Sequence, residues 1–237
     1  SGVIEYEVTA KVNPERMRGF QRGGGGDDAA DAPDVITFKQ LFTFSNNVGK
    51  ITTERPDFGG GRGGGRQRPQ GDTSARGPRR GRMGAGMMGR GNNAQYVDLA
   101  NKKYEQVFST FGDNKKTYYT EEDFIVTADT KPSDKTKKIA GYTCKKATIQ
   151  LKDDTYTVWY TTDLPFSFSP VNGLLPANNA VVLSAEGSNR AFTAKSVSLK
   201  PVTDTELGLP AGAEKVSQEE MRNIRRTEME KLRQRQQ

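Results

Sequence analysis

KKIAGYTCKKATIQLKDDTYTVWYTTDLP, residues 137–165, decides how the folded part of this chain reads. Two runs rich in Thr, Tyr, Val, Ile and Trp flank the acidic pair Asp153-Asp154. Branched and aromatic side chains suit a pleated, half-buried surface, whereas Asp bonds nearby backbone and favours turns. The stretch therefore reads as a β-hairpin, Ile139–Thr148 antiparallel to Tyr156–Thr162 across Asp153-Asp154. Tyr142, Cys144 and Lys146 then share one strand face.

The same chemistry recurs outward from the hairpin. From Val3 to Val12, Ile4, Tyr6, Val8, Ala10 and Val12 alternate with Glu5, Glu7, Thr9 and Lys11, the mark of a strand with one buried face. "VITFKQLFTF" places Ile36, Phe38, Phe42 and Phe44 on one side, and "SNNVGK" is turn chemistry in which Asn and Gly take positive φ. Short strands separated by Asp, Asn, Gly and Lys turns are expected over residues 95–129, and two more in "AVVLSAEG" and "AFTAKSVSLKPV". The tail changes period: Ser217 and Glu220 stand at capping-box spacing, with Met221, Ile224 and Met229 or Leu232 as a thin apolar stripe. About nine or ten strands and one terminal helix indicate a mainly β fold, an antiparallel sheet forming a sandwich or a curved, partly open barrel. The organisation is one β domain over 1–216, interrupted by low-complexity stretches 13–34 and 55–93, then a charged helix over 217–237.

Charge narrows the function. Between Arg55 and Asn92 lie nine arginines and two acids, a surplus of seven, and the whole chain carries +7. The remainder is therefore neutral, unlike a nucleic-acid-binding domain, which spreads positive charge over the face that tracks phosphates. The arginines Arg62, Arg66, Arg68, Arg76, Arg79, Arg80, Arg82 and Arg90 are candidates for binding an anion or a partner, because guanidinium forks match carboxylate and phosphate. RNA-binding segments of this type interleave aromatics, and here only Phe58 stands near. Glycine-rich composition by itself gives a flexible insertion.

Histidine is absent from the chain, which removes Ser-His-Asp and Cys-His catalysis and histidine-based zinc sites. One cysteine allows no internal disulfide. With no run of 18 apolar residues, no transmembrane helix is expected. The chain opens directly on a strand pattern, as a processed, exported chain would. Cys144 reads as a small buried apolar residue, and Trp159 and Tyr160 as core or rim packing. The thioethers Met83, Met87 and Met88 lack the partners a copper site needs. Glu121, Glu122 and Asp123 read as a solvated charge run before a general acid/base site.

Three segments together resemble the GLPGLI family of exported, β-rich Bacteroidota proteins. "YVDLANKKYEQV" is similar to its Tyr-x-Asp segment through Tyr96 and Asp98. "KKIAGYTCKKAT" is similar to its Ile-x-Gly-Tyr-x-Cys-x-Lys-Ala core through Gly141, Tyr142, Cys144, Lys146 and Ala147. "VWYTTDLP" is similar to its Trp-Tyr-Thr segment through Trp159, Tyr160, Thr161 and Pro165. The likeness covers residues 95–220 plus the first strand, and departs at the name-giving loop, which here is "GLLPANNAVVL". It implies an exported envelope protein with no catalytic residue and no cofactor. Members are often encoded beside outer-membrane TonB-dependent transporters, which implies an outer-membrane complex as partner. The expected role is a non-enzymatic accessory or binding subunit in the periplasm or at the outer membrane, with anionic lipid or glycan as further ligands and nucleic acid disfavoured. The alternatives are an Arg-Gly-type nucleic-acid binder and a carrier enclosing an apolar ligand in a curved sheet.

Overall fold

The computed structural model describes residues 1–12, 35–54, 93–127, 130–203 and 206–234. The two low-complexity stretches lie outside these, except for Asn93. Twelve strands form one sheet: β1 (Gly2–Lys11), β2 (Val35–Ser45), β3 (Val48–Glu54), β4 (Asn93–Asp98), β5 (Lys103–Ser109), β6 (Thr117–Asp123), β7 (Lys131–Ile139), β8 (Tyr142–Leu151), β9 (Asp154–Thr161), β10 (Val181–Glu186), β11 (Arg190–Ser198) and β12 (Glu214–Lys215). The helix α1 (Gln218–Gln234) follows. The spatial order is β12-β6-β5-β4-β3-β2-β1-β11-β10-β9-β8-β7, antiparallel except where β12 joins β6 in parallel, and the sheet does not close.

The expected hairpin exists, with two corrections. Leu151 faces Asp154, so the turn is Lys152-Asp153, with Lys152 at φ +54°, and Asp154 already begins β9. Asp154 is held in the strand because its carboxylate accepts from the Ser188 backbone N–H at 3.0 Å. The expected Ile139–Thr148 strand is also broken. Ala140 and Gly141, at φ +49° and +89°, form a two-residue turn, so Ile139 closes β7 and Tyr142 opens β8. Positive φ at both central residues is the tight-hairpin geometry that matches strand twist. Alanine rarely supplies it, which is why the turn went unread. The added strand β7 and the two-residue β12 raise the count above nine or ten.

Asn46 and Asn47 take positive φ and join β2 to β3, as their chemistry implies. Gly49 is not part of that turn. It lies in β3, where a Cβ would stand 2.5 Å from the Phe42 ring. The glycine lets that ring lie flat against the neighbouring strand.

The connection from β6 to β7 forces the sheet to curl. Ten strand spacings separate these two in the sheet order, about 48 Å if the sheet were flat. Residues 124–130 reach only about 28 Å when fully extended. The concave face so formed carries Ile4, Tyr6, Val8, Phe42, Val97, Tyr104, Val158 and Phe192, all buried. The β9–β10 connection fills it. Phe168 lies flat on Phe42, ring centroids 3.7 Å apart at 3°, and Leu174 and Leu175 are fully buried. Both buried tyrosines of this face hold backbone: Tyr6 donates to the Val182 carbonyl of β10 at 2.8 Å and Tyr104 to the Ser169 carbonyl of the connection at 2.6 Å. The same connection reaches the far arm, where the Leu175 carbonyl accepts from the Thr127 N–H and Asn172 accepts from the Ile125 N–H. The volume in which a curved sheet would carry an apolar ligand is thus occupied by the chain's own side chains.

Candidate functional site

The two low-complexity stretches are anchored at one end of the sheet. Lys11 pairs with Val35, Lys39 with Glu54, and Asn93 with Phe108. In an antiparallel array these registers put the end of β1, the start of β2, the end of β3 and the start of β4 side by side. The β5–β6 loop, residues 110–116, emerges at the same end.

That loop and α1 enclose a cleft of about 640 Å³, whose lining includes Phe111, Asp113, Tyr118, Thr227, Glu228 and Lys231. The helix begins with the expected capping box: the Ser217 N–H donates to Glu220 at 2.8 Å and the Glu220 N–H to the Ser217 hydroxyl at 3.1 Å. These bonds hold the Glu220 carboxyl below its usual range. Met221 is buried and Ile224 and Leu232 are half-buried, so of the two expected ends of the stripe it is Leu232 that holds, while Met229 is half exposed. Its inward position is taken by Glu228, 5% exposed, which accepts from the Phe111 N–H at 2.9 Å and from Lys231 at 2.6 Å. A carboxylate here closes an otherwise open loop amide. The Arg225 guanidinium covers the Phe108 ring at 5.6 Å. Nothing in the charged run of the tail signalled Glu228 as the inward residue.

A second polar group lies on the opposite face of the same arm. Cross-strand register sets Lys50, Tyr96, Glu105 and Glu121 in one row over β3 to β6. Glu121 bonds Lys103 at 2.8 Å and Lys215 at 2.6 Å, which holds its carboxyl below the usual range. Glu105 is 8% exposed, and its carboxyl is pushed up to about 7 by burial first, then by Asp98 and Glu121, with Lys103 opposing. Such a carboxyl exchanges its proton near neutrality. Val107, on the same face, is also buried, so this side too is covered.

The predicted site residues divide. Tyr96 and Asp98 lie in β4 beside Glu105, and Asp98 accepts from the side chain of Asn101 at 2.6 Å. Gly141, Tyr142, Cys144, Lys146, Ala147, Trp159, Tyr160 and Thr161 lie on β8, β9 and their turns, seven and six strands from β4 in the sheet order. Pro165 lies just beyond β9. Cys144, Ala147 and Thr161 are buried. Burial pushes the Cys144 thiol up to about 11, and it donates to the Tyr142 carbonyl. The arginines Arg62, Arg66, Arg68, Arg76, Arg79, Arg80, Arg82 and Arg90, with Met83, Met87 and Met88, lie outside the described residues. Among the described residues no group of three His, Cys, Asp or Glu is placed to hold a metal, and no helix is long and apolar enough to cross a membrane.

Among curated proteins, none matches this chain. Two solved structures of PNGF-II, in space groups C2 and P21, match it with TM-scores of 0.53 and 0.51 at 16% identity. The matches cover 94% of this chain but 32% and 33% of those chains, so this chain spans about a third of their length. At that identity the likeness is one of fold. The family model described as N-glycanase peptide, N-terminal domain matches residues 88–229, more than half of the sequence, and the chain belongs to that family.

Proposed function

We propose that this chain is a non-catalytic binding domain of an exported, envelope-associated assembly, and that it meets its partner at the end of the sheet where the two low-complexity stretches are anchored. The observation that carries the reading is that Lys11, Val35, Glu54 and Asn93 stand at the same end of four neighbouring strands. Two stretches with opposite composition, one rich in Asp and one in Arg, leave four adjacent strand ends at one place. Guanidinium groups give charge-assisted bonds to carboxylates and carbonyls, and glycine admits close backbone approach. The family description, that of an N-terminal domain, and the one-third coverage of the PNGF-II chains support a module role. Export and an outer-membrane partner rest on the GLPGLI resemblance.

The test replaces residues 56–92 with a short Gly/Ser linker and compares both chains. Cross-linking in outer-membrane preparations should join the full chain to a defined outer-membrane protein and fail for the shortened one. The shortened chain should keep its melting temperature, because closure entropy varies only logarithmically with loop length. Equal cross-linking by both chains, or release of glycan from an N-glycopeptide by the chain alone, would refute the reading.

A further inference from the structure

The outer face of the β7–β9 arm carries lysines that the rest of the sheet does not explain. Between Lys131 and Thr161 the sequence has seven lysines and three aspartates. Lys131 faces Thr148, Ser133 faces Lys146, and Lys146 faces Trp159 across the strands. The Lys137 ammonium lies 5.8 Å from the centre of the Trp159 ring, which puts it on the same face. Thr148 and Thr157 form the next row. Lys131 and Lys137 are exposed, while Lys146, Trp159, Ser133, Thr148 and Thr157 are half-buried. None of the three lysines makes a salt bridge among the described residues. Two acids border this face: Glu186, opposite Thr157, bounds the patch on its inner side, and Asp163, just beyond β9, acts on Cys144 together with Lys137.

We propose that this face binds a chain of acidic sugars, with Lys131, Lys137 and Lys146 neutralising its carboxylates, Trp159 stacking on a sugar ring, and Ser133, Thr148 and Thr157 bonding its hydroxyls. It is a site separate from the anchoring end and stands independently of the partner reading. Charge selects a polyanion. The chemistry of the other side chains selects among polyanions. A bilayer surface asks for apolar side chains projecting beyond the cations, and the exposed large hydrophobics among the described residues, Val35, Ile125, Leu199 and Met229, all lie off this arm. An acidic peptide adding to the β7 edge needs a regular ladder, and β7 has Pro132, which lacks an N–H, and a register shift between Ser133 and Thr136. Single-stranded nucleic acid stacks successive bases on successive aromatic side chains. This face offers one indole with hydroxyls beside it. Its other aromatic, Tyr142, stands four residues along β8 from the Lys146–Trp159 pair, about 13 Å away and too far to take the next base.

Trp159 is the sole tryptophan of the chain, so its fluorescence reports this face without interference from the arginines elsewhere. The experiment titrates the full chain with alginate oligomers, a polyuronate. The expected result is a saturable change in emission, weakened by salt as screening shortens, with neutral dextran silent. Lys137→Glu/Lys146→Glu should weaken binding roughly tenfold or more through loss of charge-assisted contacts. Lys102→Glu/Lys115→Glu, an equal change of net charge in two loops of the other arm, should stay within about twofold. Lys137→Gln/Lys146→Gln provides the same comparison if the reversal harms folding. No emission change with alginate, equal loss in both reversal variants, or a stronger response to poly-glutamate, oligonucleotide or phosphatidylglycerol vesicles would overturn the proposal.

Discussion

The outer faces of the two arms of this sheet treat lysine in opposite ways. On the β1–β6 arm and its neighbour β11, charges are matched across strands: Lys39 with Glu5, Lys195 with Glu7, and Lys103 and Lys215 with Glu121. On the β7–β9 arm, Lys131, Lys137 and Lys146 make no salt bridge among the described residues, and Lys137 rests over an indole instead. The first arm neutralises most of its strand lysines, with Lys50 over the Tyr96 ring at 5.6 Å as an exception, whereas the other leaves three together without a salt bridge. The difference teaches that net charge, near zero outside the arginine-rich stretch, hides a local surplus produced by pairing.

The harshest way to break the comparison is to separate the arms. Phe168 belongs to the β9–β10 connection yet lies flat on Phe42 of β2 and tilts against Tyr6 of β1. Phe168→Ala should cost about 3–5 kcal/mol, the range for a large aromatic truncated in a core. For a domain of this size that lowers the melting temperature by roughly 10 °C. Calorimetry should still show one transition. Two resolved transitions would mean that the arms are independent units and that their contrast is a contrast between neighbours only.

A milder change sharpens the comparison on the first arm. The Glu105 carboxyl titrates near 7 in the folded chain, above the ordinary carboxylate value, so the native state holds this proton more tightly than the unfolded state. Its stability contribution is therefore complete below the unfolded value near 4.5 and is lost as pH rises through about 7. The loss is at most about 3 kcal/mol. Glu105→Gln should leave stability at pH 5 nearly unchanged and raise it at pH 8, flattening the melting curve between. An unchanged pH dependence in the variant would show that Glu105 is solvated and that this face is not covered.

How far the fold was legible follows from these same residues. Period-two alternation exposed β1 and β2 because one face is apolar and the other charged. The β-rich runs on either side of Asp153-Asp154 exposed β8 and β9, and capping-box spacing exposed the Ser217–Glu220 cap. Local pattern did not expose the Ala140-Gly141 turn, since alanine carries no turn signature and only the tertiary chain holds it at positive φ. Nor could it show that Glu105 is buried, because a glutamate in a strand is normally solvent-facing. Glu228 was hidden for a related reason: its partner, the Phe111 amide, is 117 residues away. Local pattern reveals elements. The residues that work at their junctions answer to distant partners.

The smallest effect decides whether the pairing contrast has energetic content. Glu121 accepts from both Lys103 and Lys215, and Lys215 belongs to the two-residue β12, whose continuation Val216 donates its N–H to the Tyr119 carbonyl at 2.9 Å. Glu121→Gln keeps the shape but removes the charge that two ammonium groups share. A partly exposed pair of this kind contributes on the order of 1 kcal/mol or less. The variant should therefore lose about that much stability, and hydrogen exchange should quicken at Val216 and in the first turn of α1. Lys146→Gln on the other arm removes a charge that no carboxylate answers, so stability should stay within about 0.5 kcal/mol, the usual bound for surface changes. Exchange along β8 should be unaltered. Should Lys146→Gln cost as much as Glu121→Gln, the lysines of the β7–β9 arm are structural, and the unmatched charge on that face is not held in reserve for a ligand.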